Sequence, residues 1–127
     1  MCMPKFMIEE DFWSLFPQAI IGIVICRGID NSIREVEFYE KLLREAAQEA
    51  QQHLGMEEFS SNPVVDIYNS ISLRYGLPCG GEDVDTFVGD VRLTQANGTE
   101  PFLPLGSDDN APPYEGEIVY KDDAGAI

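Results

Sequence analysis

Residues 62–83, Asn-Pro-Val-Val-Asp-Ile-Tyr-Asn-Ser-Ile-Ser-Leu-Arg-Tyr-Gly-Leu-Pro-Cys-Gly-Gly-Glu-Asp, decide how the rest of the chain is read. Ser61 or Asn62 is placed to cap a helix, and Pro63 suits a first turn in which no amide donor is needed. Val64, Ile67, Tyr68, Ile71 and Tyr75 recur at helical spacing and form the expected buried face. Asp66, Asn69, Ser70 and Arg74 lie toward the other side. Gly76 and Pro78 stop the helix, and the chain is delivered to Gly80, Gly81, Glu82 and Asp83. Two successive residues without Cβ let a small ligand reach backbone N–H groups, and they equally make a tight turn.

Upstream, residues 32–54 carry a second helical pattern through Val36, Tyr39, Leu42, Leu43, Ala46, Ala47, Ala50 and Leu54, with Gly55 as its stop. Glu40 and Arg44 are spaced for an ion pair, and His53, the only histidine, sits where a helix C-terminus favours its charged form. Residues 19–26, Ala-Ile-Ile-Gly-Ile-Val-Ile-Cys, read as a central strand buried on both faces, with Gly22 marking a close backbone or ligand approach. Before it, Lys5 to Ile8 is a candidate edge strand. Asp11 is a candidate N-cap for a helical turn carrying Phe12, Trp13, Leu15 and Phe16, which Pro17 ends. Trp13 is expected in the core or at its rim.

Downstream the pattern turns to β. Residues 88–95, the dipeptide Asn97-Gly98, and residues 99–105 predict a hairpin, with Pro101 and Pro104 confining the returning strand to an edge. Residues 107–116 form a loop by composition, and residues 117–121 one more strand. The sum is an α+β chain of one domain over residues 1–127: a mixed or antiparallel sheet with two main helices.

Eight Lys and Arg oppose 23 Asp and Glu, a formal charge of −15. That excess penalises binding to polyphosphate unless the cations gather on one face, and it suits a solvated surface or a basic partner. Cys2, Cys26 and Cys79 are odd in number and lack zinc-site spacing, which fits a reducing, cytoplasmic setting with no metal. The longest apolar run, residues 19–26, is far below the roughly twenty residues that cross a bilayer, so no membrane partner is expected.

No familiar catalytic constellation is present, and neither a catalytic residue nor a cofactor is assigned. There is no nucleophile elbow and no pair of zinc-ligating histidines, and Gly80-Gly81 lacks the Lys-Ser/Thr of a phosphate loop. Cys79 follows a helix C-terminus, which does not stabilise a thiolate. An EF-hand counted from Asp83 would need Gly and Glu where Val88 and Thr94 stand.

The run from Asn62 to Ser72, followed by Leu77-Pro78-Cys79-Gly80-Gly81-Glu82-Asp83, resembles free-standing proteins related to the B3/4 editing domain of the phenylalanyl-tRNA synthetase beta chain. Residues 89–93, Gly98 to Phe102, residues 113–123, Phe12-Trp13 and residues 28–31 fit the same pattern. The resemblance implies an α+β fold and a pocket in which water attacks the ester of a mischarged aminoacyl-tRNA. Catalysis there rests on positioning without a covalent nucleophile. It implies substrate-binding roles for Gly80 and Gly81 as a pocket wall, and for Glu100 as an acceptor of a phenolic or amino group. Asn69 and Asp66 would lock the helix-to-loop junction, and Arg74 would meet RNA phosphate or an acid. The expected partners are tRNA and a small amino-acid ligand, with a homodimer as a way to cover an exposed edge. Relative to that family the chain is expected to be shortened, lacking a basic segment before Asn62 and a basic tail after Ile127. The alternative is a non-catalytic small-molecule or protein-binding module of the same fold.

Overall fold

The computed structural model describes residues 3–30, 37–38, 41–42, 44–46 and 62–127. The described chain divides into two compact units, one formed by Met1–Ile23 with Asp83–Ile127 and the other by Val24–Glu82.

The first unit is built on a three-stranded mixed sheet. Strands β1 (Phe6–Ile8), β2 (Val91–Gln95) and β3 (Ile118–Lys121) lie in that order, with β1 parallel to β2 and β2 antiparallel to β3. Val91 and Leu93 are buried, as is Ala96 just beyond the strand, so β2 forms the centre of the small core. Helix α1 (Glu10–Leu15) follows β1 directly and buries Phe12, whose ring meets Trp13 edge-on at 5.4 Å and Phe16 at 5.2 Å. Trp13 is half-buried at the rim of that cluster. The edge strand expected at Lys5–Ile8 is therefore present, and the α+β class with a mixed sheet holds.

In the second unit, helix α2 (Pro63–Tyr75) begins and ends where its sequence signals stand. The Asn62 side chain accepts from the N–H groups of Val64 (3.1 Å) and Val65 (3.3 Å), and Gly76 closes the helix in the left-handed region at φ 63°. Residues 37, 38, 41, 42 and 44–46 are helical, with Ala46 fully buried, in line with the earlier helical pattern. Lys41 and Glu45 pair at 3.9 Å on its exposed side. The expected partner Glu40, His53 and the connection at residues 56–61 lie outside the described residues.

Three expectations are corrected. Residues 19–26 form no strand: Ile20, Ile23, Val24 and Ile25 are exposed, and a Cβ at Gly22 would meet nothing within 4 Å. The boundary between the two units falls between Ile23 and Val24, so this run is a connection with no ladder partner among the described residues. The predicted hairpin return at residues 99–105 is also absent, and β2 pairs with β3 instead. Pro101 and Pro104 have no N–H to give a ladder, and the Asn97 and Gly98 amides are taken by the Glu100 carboxylate. Finally, α2 is turned opposite to its apolar pattern. Asp66 and Ser70 are buried while Ile67, Ile71 and Tyr75 are exposed. Ser70 tolerates burial by donating its hydroxyl to the Ile67 carbonyl at 2.7 Å, and Asp66 is likewise engaged.

These assignments separate sharply in stability. Leu93→Ala is expected to cost about 2–4 kcal/mol, whereas Ile20→Ser is expected to stay within about 0.5 kcal/mol. Urea denaturation of the two variants checks the pair; a loss of several kcal/mol from Ile20→Ser would restore the buried-strand reading.

Candidate functional site

In the first unit, the end of β1, the start of α1 and the adjoining rows of β2 and β3 enclose an open depression of about 550 Å³. Glu9, Glu10, Asp11, Arg92, Thr94 and Lys121 line it. Register explains the two cations: Arg92 and Lys121 are direct partners across the antiparallel pair, so both side chains emerge on one face of the sheet. Arg92 lies 3.9 Å from Glu9 through Nε and donates to Asp123 at 3.1 Å through Nη1. The Lys121 ammonium donates to Glu100 at 2.8 Å.

Two carboxylates anchor this region. Asp11 is not the helix cap that its sequence position suggests; Glu9 occupies that place without a side-chain cap bond. Instead Asp11 Oδ2 accepts from Thr94 Oγ1 at 2.7 Å and from Gln95 N–H at 2.9 Å, while Oδ1 accepts from Phe12 N–H. The Thr94 hydroxyl, then the Gln95 N–H, hold the Asp11 pKa below the ordinary carboxylate range, against the opposing effect of burial. Glu100 is only 7% exposed. Its oxygens accept from Lys121 Nζ, from Asn97 N–H at 3.0 and 3.1 Å, and from Gly98 N–H at 3.1 Å. Chiefly through Lys121, with the Asn97 amide next, its pKa falls from 4.5 to about 2. Asp122 is half-buried, and that desolvation acts to raise its pKa, yet the N–H groups of Val88, Ala124 and Gly125 outweigh it and lower the value.

Carboxylates held ionised in this way accept hydrogen bonds well but are poorly suited to give or take a proton near neutrality. Among the described residues, no group of three His, Cys, Asp or Glu is gathered to hold a metal ion, and Cys26 and Cys79 are free and exposed thiols. No helix is long and apolar enough to cross a membrane among the described residues.

The other sequence-derived residues lie in the second unit. Asn69 is half-buried on α2, one position beyond Tyr68. Arg74 is exposed in the last turn of α2 and already engaged. A Cβ at Gly81 would stand 3.1 Å from Tyr68 Cε1 and 3.4 Å from Cδ1, tight enough that the ring would have to give way. A Cβ at Gly80 would meet nothing within 4 Å. The fold thus brings Gly81 to the ring beside Asn69 and leaves Gly80 open, whereas Glu100 belongs to the first unit. The depression around Asp11, Arg92 and Lys121 carried no sequence signal. Its members are separated by more than eighty positions in part, and only the strand register, invisible to periodicity, aligns them.

The B3/4 domain family matches residues 38–127, well over half of the chain. The chain belongs to that family, the domain found in the beta chain of phenylalanyl-tRNA synthetase. It is thus a tRNA-synthetase-related domain. No curated protein and no solved structure gives a match.

The Glu100 cluster predicts a pH dependence. Because its folded pKa is depressed, the stability it contributes is complete above 4.5 and is lost as pH falls toward about 2. Asp11 and Asp122 act in the same direction from 3.8. Acid also relieves the repulsion among 23 carboxyl groups, so the difference between proteins is the informative quantity. Glu100→Gln is expected to lose roughly 1–3 kcal/mol at neutral pH and to lose less than the wild type between about pH 5 and about pH 2. Urea denaturation at both pH values measures it; parallel acid losses would remove Glu100 from the account.

Proposed function

We propose that the chain is an aminoacyl-tRNA editing-type module, which binds the 3′ end of a tRNA and hydrolyses a mischarged aminoacyl ester. The observation that carries this reading is the family match, which spans the whole Asn62–Asp83 motif. On this reading residues 1–127 work as one module. Gly80 and Gly81 admit the substrate to the backbone, Asn69 steadies the junction that presents them, and Arg74 meets a phosphate. Hydrolysis would proceed by water held in place and by hydrogen bonds to the developing oxyanion. The low pKa values of Asp11 and Glu100 suit that mode, since neither group is needed as a proton donor. Glu100, already holding two turn amides and Lys121, would meet a phenolic hydroxyl or an ammonium only through its remaining lone pair.

That enclosure of Glu100 favours a second reading, a non-catalytic module of the same fold that binds an amino acid or a basic partner. Deacylation of tyrosine-charged phenylalanine tRNA at low salt distinguishes them. For the hydrolase, the wild type releases tyrosine and Gly81→Val lowers turnover by about tenfold or more through misplacement of substrate. Arg74→Ala should weaken tRNA retention and reduce the salt slope by about one. Thermal stabilisation by free tyrosine without turnover or tRNA retention supports the binding module. Absence of both tRNA retention and turnover ends the hydrolase reading.

A further inference from the structure

The turn after β2 contains Asn97-Gly98, the dipeptide in which an asparagine amide is most open to attack by the next backbone nitrogen. Gly98 has no Cβ to obstruct the approach and adopts φ 85°. Asn97 is exposed. Its Oδ1 accepts from Thr99 N–H at 2.8 Å and from Thr99 Oγ1 at 2.6 Å. Two donors on that carbonyl oxygen draw electron density from Cγ and would stabilise the oxyanion formed when a nucleophile adds. The electrophile is therefore primed.

The nucleophile is restrained. To attack, Gly98 nitrogen must lose its proton, and that N–H is donated at 3.1 Å to Glu100 Oε2. The neighbouring Asn97 N–H is donated to the same carboxylate. Glu100 is buried and held by Lys121, so its charge is fixed at the turn. A nitrogen anion facing this fixed, buried carboxylate is opposed by like-charge repulsion. Breaking the hydrogen bond to that charged acceptor adds to the barrier.

We propose that Asn97-Gly98 is a latent site of covalent self-modification, activated by Thr99 and held back by the Glu100–Lys121 pair. The step is intramolecular. Gly98 nitrogen bonds to Asn97 Cγ, the Cγ–Nδ2 bond breaks, and the proton leaves with ammonia, giving a cyclic imide. Water then opens the imide at either carbonyl, yielding aspartate or isoaspartate in place of Asn97. Each such event adds a further negative charge to an already acidic chain and, on the isoaspartyl branch, lengthens the backbone within the turn that joins β2 to the rest of the unit.

The test is to incubate the full chain in mildly alkaline buffer. Peptide mass spectrometry follows the gain of roughly one dalton at Asn97, and isoaspartyl methyltransferase labelling reads the isoaspartyl branch. Asn97 in the folded wild type should convert far more slowly than in the same chain held in urea. Glu100→Gln, which keeps the shape of the side chain, should accelerate conversion in the folded protein by about tenfold or more, the rate equivalent of one charge-assisted hydrogen bond. Adding Thr99→Val to Glu100→Gln should slow it again. If Glu100→Gln fails to fold, Lys121→Met tests the same restraint by loosening the carboxylate without removing it and should also accelerate conversion. Equal rates for the folded wild type and the urea-unfolded chain would overturn the proposal. So would a folded Glu100→Gln or Lys121→Met protein that converts no faster than wild type, or a Thr99→Val change that leaves the rate unaltered.

Discussion

At the C-terminal end of β2 the ladder runs out of strand partners on its β1 side, and two carboxylates take their place. Gln95 donates its N–H to Asp11, Ala96 donates to the Glu117 carbonyl at 2.7 Å, and Asn97 and Gly98 donate to Glu100. Of these four successive backbone donors, three are thus satisfied by carboxylate side chains and only Ala96 by main chain. No buried side-chain nitrogen or oxygen is left without a partner among the described residues. Asp11 ties the N-terminal segment to β2 across 84 positions, and Glu100 reaches Lys121 on β3. Without these two groups the centre of a small sheet would end in bare amides, each costly to bury.

This gives the acidity of the chain a second meaning. A charge of −15 reads from composition as a solvated surface, and most of the acids among the described residues are indeed exposed. Yet Asp11, Glu100 and Asp122 act as internal acceptors for backbone N–H groups, a task that asparagine or glutamine would perform with weaker, uncharged acceptors. Two of the eight cations are spent within this sheet: Arg92 on Glu9 and Asp123, Lys121 on Glu100.

Sequence reasoning succeeded where structure is local. The Asn62 cap, the Gly76 stop, the short β1 and the strand near residue 120 each depend on a few neighbouring residues, and each is present. It failed where apolar pattern stood in for packing. Residues 19–26 have the composition of a central strand but carry the chain between units, and α2 exposes Ile67 and Ile71 while burying Asp66. Hydrophobic periodicity states what would gain from burial, not whether a partner surface exists to supply it. Asn97-Gly98 is the intermediate case: a turn forms there with the glycine at positive φ, but Glu100, two positions on, diverts the amides that a hairpin would have used. The approach of Gly81 to the Tyr68 ring, so near that an added Cβ would stand 3.1 Å from Cε1, is specified by no periodic pattern.

The parallel pairing of β1 with β2 bears on where this fold can be cut. The family match covers residues 38–127, whereas β1 and α1 lie before it. Val91 N–H is satisfied by the Lys5 carbonyl, and the Leu93 carbonyl by Glu9 N–H. A piece beginning at residue 38 would keep every family-matched residue and still expose one whole side of its central strand. Such an open edge is a template for a strand from another molecule. The limit of recurring sequence and the limit of self-sufficient folding therefore fall at different points along this chain.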